Sequence, residues 1–97
     1  MALEVVWTDE AKVQLDEIIT YLENNWTNKE IISFFRRLEE GLIQISENPH
    51  RFKQSDRMKG AREFQLFPHT TLFYSYNDRQ VAVMVLWANR KNPGKLK

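Results

Sequence analysis

The apolar residues of this chain change their spacing twice, and that double change restricts the fold more than any other feature. Leu3, Val5 and Trp7 alternate with Glu4 and Val6, the period-two pattern of a short strand. From Ala11 the spacing becomes three and four. Ala11, Leu15, Ile18, Ile19, Leu22 and Trp26 form one apolar stripe with Lys12, Asp16 and Glu23 facing away, which describes an amphipathic helix. Thr8 is placed to cap it, and Asp9 and Glu10 follow where the helix dipole favours negative charge. A second stripe of Ile31, Phe34, Phe35, Leu38, Leu42 and Ile45 runs to Asn48-Pro49, a pair that ends a helix. Its start is marked by Thr27 and Glu30 at capping-box spacing, with Trp26 and Ile31 at the positions of a hydrophobic staple. Gly41 inside this stripe costs about 1 kcal/mol relative to Ala, so a close packing contact is expected there. With almost no linker between them, the two helices are expected to form an antiparallel hairpin.

After the polar, basic segment 50–60 the period returns to two. Segments 61–67, 70–76 and 80–88 read as strands joined by Pro68-His69 and Asn77-Asp78-Arg79, joints short enough to demand antiparallel pairing. The last of them is apolar at both parities from Val81 to Trp87, which suits a central strand covered on two sides, one of them by the hairpin. The expected fold class is therefore α+β: an N-terminal strand, an antiparallel helical hairpin and a three-stranded antiparallel meander, with the helices on one face of a four-stranded sheet. A chain of 97 residues builds one core, so a single domain spanning 1–97 is expected.

The net charge of +1 conceals a strong asymmetry. Residues 1–48 hold four basic side chains against ten acidic ones, a sum of −6, whereas residues 49–97 hold ten against three, a sum of +7. Ten like charges in the second half repel one another unless an anion gathers them, although the acidic half of the fold also neutralises part of them. Lys53, Arg57, Lys59 and Arg62 lead into the first strand of the meander, while Arg90, Lys91, Lys95 and Lys97 leave the last. If those strands are neighbours, the two clusters share a concave surface opposite the helices that would hold phosphates. The competing explanation for Lys95 and Lys97 is a solvated terminus. Tyr76 offers an aromatic ring for stacking, whereas Tyr74 is expected in the core with its hydroxyl at the edge.

Several chemistries are excluded by residue type. With zero Cys there is no disulfide, thiolate metal site or cysteine nucleophile, which fits a reducing compartment. His50 and His69 each follow a proline in loops without partners at ligand spacing, so no metal is expected. The three Gly are far apart and no Ser lies in a nucleophile elbow, so neither a phosphate-cradling loop nor acyl transfer is supported, and no cofactor is expected. No apolar run approaches the roughly 20 residues that span a bilayer, and Met1-Ala2-Leu3-Glu4 lacks signal-peptide character. A cytoplasmic protein without a membrane partner is expected.

Taken in order, Trp7-Thr8-Asp9-Glu10-Ala11 with Leu15, Ile18 and Tyr21-Leu22, then Asn48-Pro49, Arg62 opening a strand, Phe73-Tyr74-Ser75-Tyr76 and Arg90-Lys91-Asn92-Pro93 make the chain resemble the RelE/ParE superfamily of bacterial toxins. The resemblance covers nearly the whole chain. It implies a growth-inhibiting toxin neutralised by a cognate antitoxin, acting with the ribosome as an mRNA endonuclease. The alternatives are a ParE-like inhibitor of DNA gyrase and a non-catalytic antitoxin-binding module. RNA cleavage by the 2′-hydroxyl needs a base, an acid and cations on the scissile phosphate. By position, Arg62 resembles the family's phosphate-binding arginine and Arg90 the basic residue after its last strand, which makes these two the expected catalytic residues. The basic clusters add Lys53, Arg57, Lys59 and Lys91 as expected RNA- or anion-binding residues. The His or Tyr that many family nucleases carry near the C-terminus has no counterpart in Trp87-Ala88-Asn89-Arg90, and Lys53, Lys59 or His69 are the candidates for its role. The antitoxin is expected to be acidic and partly disordered, meeting the basic half with its charges.

Overall fold

The computed structural model of the protein describes residues 2–88. In chain order the elements are β1 (Glu4–Trp7), α1 (Asp9–Asn25), α2 (Asn28–Glu47), β2 (Arg62–Phe67), β3 (Thr70–Tyr76) and β4 (Gln80–Ala88). The four strands form one sheet in the order β1-β4-β3-β2, in which β2, β3 and β4 are the antiparallel meander and β1 adds parallel to β4. This is the expected α+β architecture, with β4 in the interior of the sheet.

Local chemistry accounts for the helices. The Thr8 hydroxyl accepts from the Ala11 backbone N–H at 3.1 Å, and the same oxygen donates to the Met84 carbonyl at 3.0 Å. One side chain thus starts α1 and fastens its start to β4. At the second helix the capping box is closed in both directions: the Glu30 N–H donates to the Thr27 hydroxyl at 3.3 Å and the Thr27 N–H to the Glu30 carboxylate at 2.9 Å. The end of α2 returns to the start of β1, where the Leu3 N–H donates to the Ser46 carbonyl at 2.9 Å, so the hairpin is antiparallel.

The core lies between the hairpin and one face of the sheet. Ala11, Ile18, Leu22, Phe34, Leu38 and Ile45 pack there against Phe64, Leu66, Leu72, Tyr74, Val81, Val83 and Leu86. A Cβ at Gly41 would stand 2.5 Å from Cε2 of Phe64, so the hydrogen side chain lets α2 approach β2. In β4 the pairing skips a residue: Phe73 faces Val85 while Tyr74 faces Val83, leaving Met84 as a bulge. The bulge switches the inward parity from Val81 and Val83 to Leu86. That shift is why both parities of the strand had to be apolar. The face turned from the helices is covered locally, where the Arg57 guanidinium lies 5.4 Å from the ring centroid of buried Phe73.

Candidate anion-binding cleft

The segment between α2 and β2 forms a cleft because Pro49, His50, Phe52, Lys53, Ser55 and Arg57 are hydrogen-bonded to β2 and β3. Gly60, at φ +84°, occupies the left-handed region in the turn closed by the Ala61 N–H and the Met58 carbonyl at 3.1 Å. Beyond that turn the chain doubles back: the Ser55 N–H donates to the Ala61 carbonyl at 2.8 Å, and the Glu63 N–H donates to the Lys53 carbonyl at 2.9 Å. Gln54 and Arg62 form an isolated antiparallel bridge between these bonds.

Arg62 shares the parity of Phe64 and Leu66, so its stem runs along the edge of the core face and its head emerges at the cleft. Nη1 donates to the Phe52 carbonyl at 2.6 Å and the His50 carbonyl at 3.2 Å, and the guanidinium carbon lies 5.8 Å from the Tyr76 ring centroid. Among the described residues, Nε and Nη2 have no hydrogen-bond partner. Next to it on β3, the fully buried Tyr74 donates its hydroxyl to the Pro49 carbonyl at 2.6 Å. Burial pushes the Tyr74 pKa up to about 12, against the smaller opposing pull of Arg62, so the phenol stays a neutral donor. Tyr74 is thus in the core with its hydroxyl at the edge, as expected.

Glu63 has the opposite parity and organises the other side of the loop. Its carboxylate accepts from Arg57 Nη2 at 3.0 Å and from the Ser55 hydroxyl at 2.7 Å. The Ser55 oxygen in turn accepts the N–H groups of Arg57 and Met58 at 3.0 and 2.9 Å. The hydrogen bond from Arg57 holds the Glu63 carboxyl below its ordinary range, partial burial opposes that shift, and Ser55 reinforces it. Sequence reasoning missed Glu63 and Ser55, although Glu63 is the only acidic residue between Asp56 and Asp78. A lone carboxylate within a basic stretch is the signal that would have found it.

The resulting cleft, of about 620 Å³, is lined among others by Lys59, Arg62, Asp56, Tyr74 and Tyr76. Of the four basic residues expected before β2, Lys59 and Arg62 line it, Arg57 is drawn by Glu63 to the face turned from the helices, and Lys53 is exposed and outside the lining. Arg90 and Lys91 lie outside the described residues. Two geometric expectations are corrected. β2 and β4 are not neighbours, since β3 runs between them. Nor does the start of β2 meet the end of β4: Arg62 is level with Tyr74 and Val83, whereas Ala88 pairs with Thr70 at the far end of the sheet. Two strands of the same direction separated by an antiparallel one place a start beside a start. With a pre-positioned guanidinium, an ammonium and an exposed aromatic edge, the cleft suits a phosphate or carboxylate attached to a planar group, with Asp56 setting a limit on total negative charge.

A hairpin packed on one face of a four-stranded mixed sheet is a fold that this chain shares with solved structures of toxin–antitoxin proteins. The chromosomal ParDE system of P. aeruginosa superposes with a TM-score of 0.72 at 13% identity, covering 90% of this chain and 96% of that one. The E. coli DinJ-YafQ toxin–antitoxin complex gives 0.57 at 13% identity, covering 97% and 100%, and the YoeB dimer of Staphylococcus aureus gives 0.59 at 16%, covering 90% and 97%. At such identities these likenesses concern the fold. No curated protein sequence matches the chain. The family model for the ParE toxin of the type II toxin–antitoxin system parDE matches residues 5–92, and the chain belongs to that family. Among the described residues, no helix is long and apolar enough to cross a membrane, and no group of three metal-ligating side chains occurs.

Proposed function

We propose that the protein arrests growth as the toxin of a parDE-type pair by binding DNA gyrase, and that an acidic antitoxin neutralises it. The observation that carries this choice over RNA cleavage is the engagement of Arg62 and Tyr74 by the backbone carbonyls of Phe52, His50 and Pro49. Both side chains act as struts of the loop, and the Tyr74 phenol is held far from the neutral range in which a proton-transfer group works well. A binding surface needs such rigidity and no acid–base pair.

The cleft itself favours a second reading. Lys59, Arg62 and the Tyr76 ring line one cleft and would suit an RNA phosphate and its base. The two differ in which synthesis stops first. Induced alone in bacteria, the chain should depress incorporation of labelled thymidine before that of labelled amino acids. The opposite order would establish the nuclease, and no arrest in a strain making folded protein would leave an antitoxin-binding module. Antitoxin association should slow as salt rises, because charge complementarity acts chiefly on the encounter.

A further inference from the structure

The outer face of α2 carries a pattern that neither the core nor the cleft uses. Phe34, Leu38, Gly41 and Ile45 are its buried side. At 3.6 residues per turn, Ile32, Arg36, Glu39 and Ile43 fall within a sector of about 60° on the opposite side. Ile32 is 58% exposed and Ile43 50%. Among the described residues, neither Arg36 nor Glu39 has an ion-pair partner. Single exposed isoleucines are ordinary on a protein surface. What is not ordinary is the order: apolar, basic, acidic, apolar, at steps of four, three and four.

That spacing is symmetric about the point between positions 37 and 38. A two-fold axis through this point would lay α2 antiparallel on the same helix of a second copy. Ile32 would then meet Ile43, and Arg36 would meet Glu39, each contact occurring twice. At the helix ends Lys29 would come beside Glu47. Alongside the stripe, a shallow apolar groove of about 410 Å³ bounded by Val5, Phe35, Leu42 and Ile43 continues the surface. We infer that this face is a self-complementary docking surface for a second copy of the same chain.

Charge selects that occupant. An acidic partner laid on the stripe would be attracted by Lys29 and Arg36 but opposed by Glu39 and Glu47, whereas a second copy gives all four an opposite charge. A pair of 20-residue helices with the flanking groove is a contact at the small end of specific interfaces, the size of a weak, reversible dimer. The cleft at the start of β2 lies on other elements, so the inference stands apart from the choice between gyrase and RNA.

Sedimentation velocity of the full-length chain without antitoxin, over a micromolar concentration series, tests it. The wild type should pass from monomer to dimer. Glu39→Arg places two arginines opposite one another twice per dimer and should raise the dissociation constant by at least about tenfold. Arg36→Glu should do the same, and the charge-swapped double variant Arg36→Glu, Glu39→Arg should return to near the wild-type value. All four sites are exposed, so melting curves of the variants should overlay and exclude misfolding as the cause. A chain that stays monomeric throughout the series overturns the inference, as does a double variant no better than the singles. A monomeric chain whose affinity for the acidic antitoxin rises with Glu39→Arg and falls with Arg36→Glu would assign the face to the antitoxin, again overturning it.

Discussion

The helical hairpin and the loop that follows it are held together by opposite means. Between Thr8 and Glu47 the elements are started by bonds three residues apart, such as Thr8 to Ala11 and Thr27 to Glu30, and the apolar stripes need only a surface to lie on. Between Asn48 and Glu63 the chain has no periodic apolar pattern, and its shape depends on polar bonds to residues of β2 and β3: Arg62 to Phe52 and His50, Tyr74 to Pro49, and Glu63 to Arg57 and Ser55. Local bonds survive small changes elsewhere in the fold. The loop should instead loosen as a unit when one strand residue is removed, and the cleft with it.

The largest expected effect is therefore at Arg62. Charged hydrogen bonds to two carbonyls are worth about 1.5–3 kcal/mol, so Arg62→Ala should lower stability by roughly 2–3 kcal/mol in denaturant titration and free the loop to proteolysis. Arg62→Lys should recover only part of this, since an ammonium lacks the planar fork. Loss of toxicity with unchanged stability would instead make Arg62 a ligand-contacting residue and shift the balance toward the nuclease.

Gly41→Ala comes next and distinguishes local from tertiary control inside the hairpin itself. Helix propensity alone predicts a gain of about 1 kcal/mol. The approach of Cε2 of the buried Phe64 to 2.5 Å predicts overpacking costing ~1–3 kcal/mol. A net loss of up to roughly 2 kcal/mol, read as a lowered melting temperature, is expected, and a gain would mean that the ring moves freely.

Thr27→Ala should cost about 1 kcal/mol by breaking the capping box, with no change in the cleft. If it also loosened residues 48–60, measured by amide exchange, the two regions would not be independent.

The smallest effect is electrostatic. Because the folded-state pKa of Glu63 is lowered, its contribution to stability is fully present above the ordinary carboxylate value of 4.5 and is lost as pH falls through the depressed value. Glu63→Gln should flatten that acid limb of the stability curve while changing little at neutral pH beyond the loss of one partly buried ion pair with Arg57. An unchanged acid limb would show that the pair is not formed in solution.

Sequence alone determined the order and type of every element, the caps at Thr8 and Thr27, the packing demand at Gly41 and the core placement of Tyr74. Each of these is written within a few residues, as a period, a cap or a missing side chain. It also determined the charge asymmetry, which is a matter of counting. Only the tertiary structure decided how the basic residues are divided. Arg57 and Arg62 stand five positions apart, yet a carboxylate at Glu63 takes one to the far face of the sheet while two loop carbonyls hold the other on the helix side. The insertion of β3 between β2 and β4 likewise set the start of β2 and the end of β4 at opposite ends of the sheet. Strand order and long-range polar bonds join residues far apart in the chain, and no local pattern of side chains encodes them.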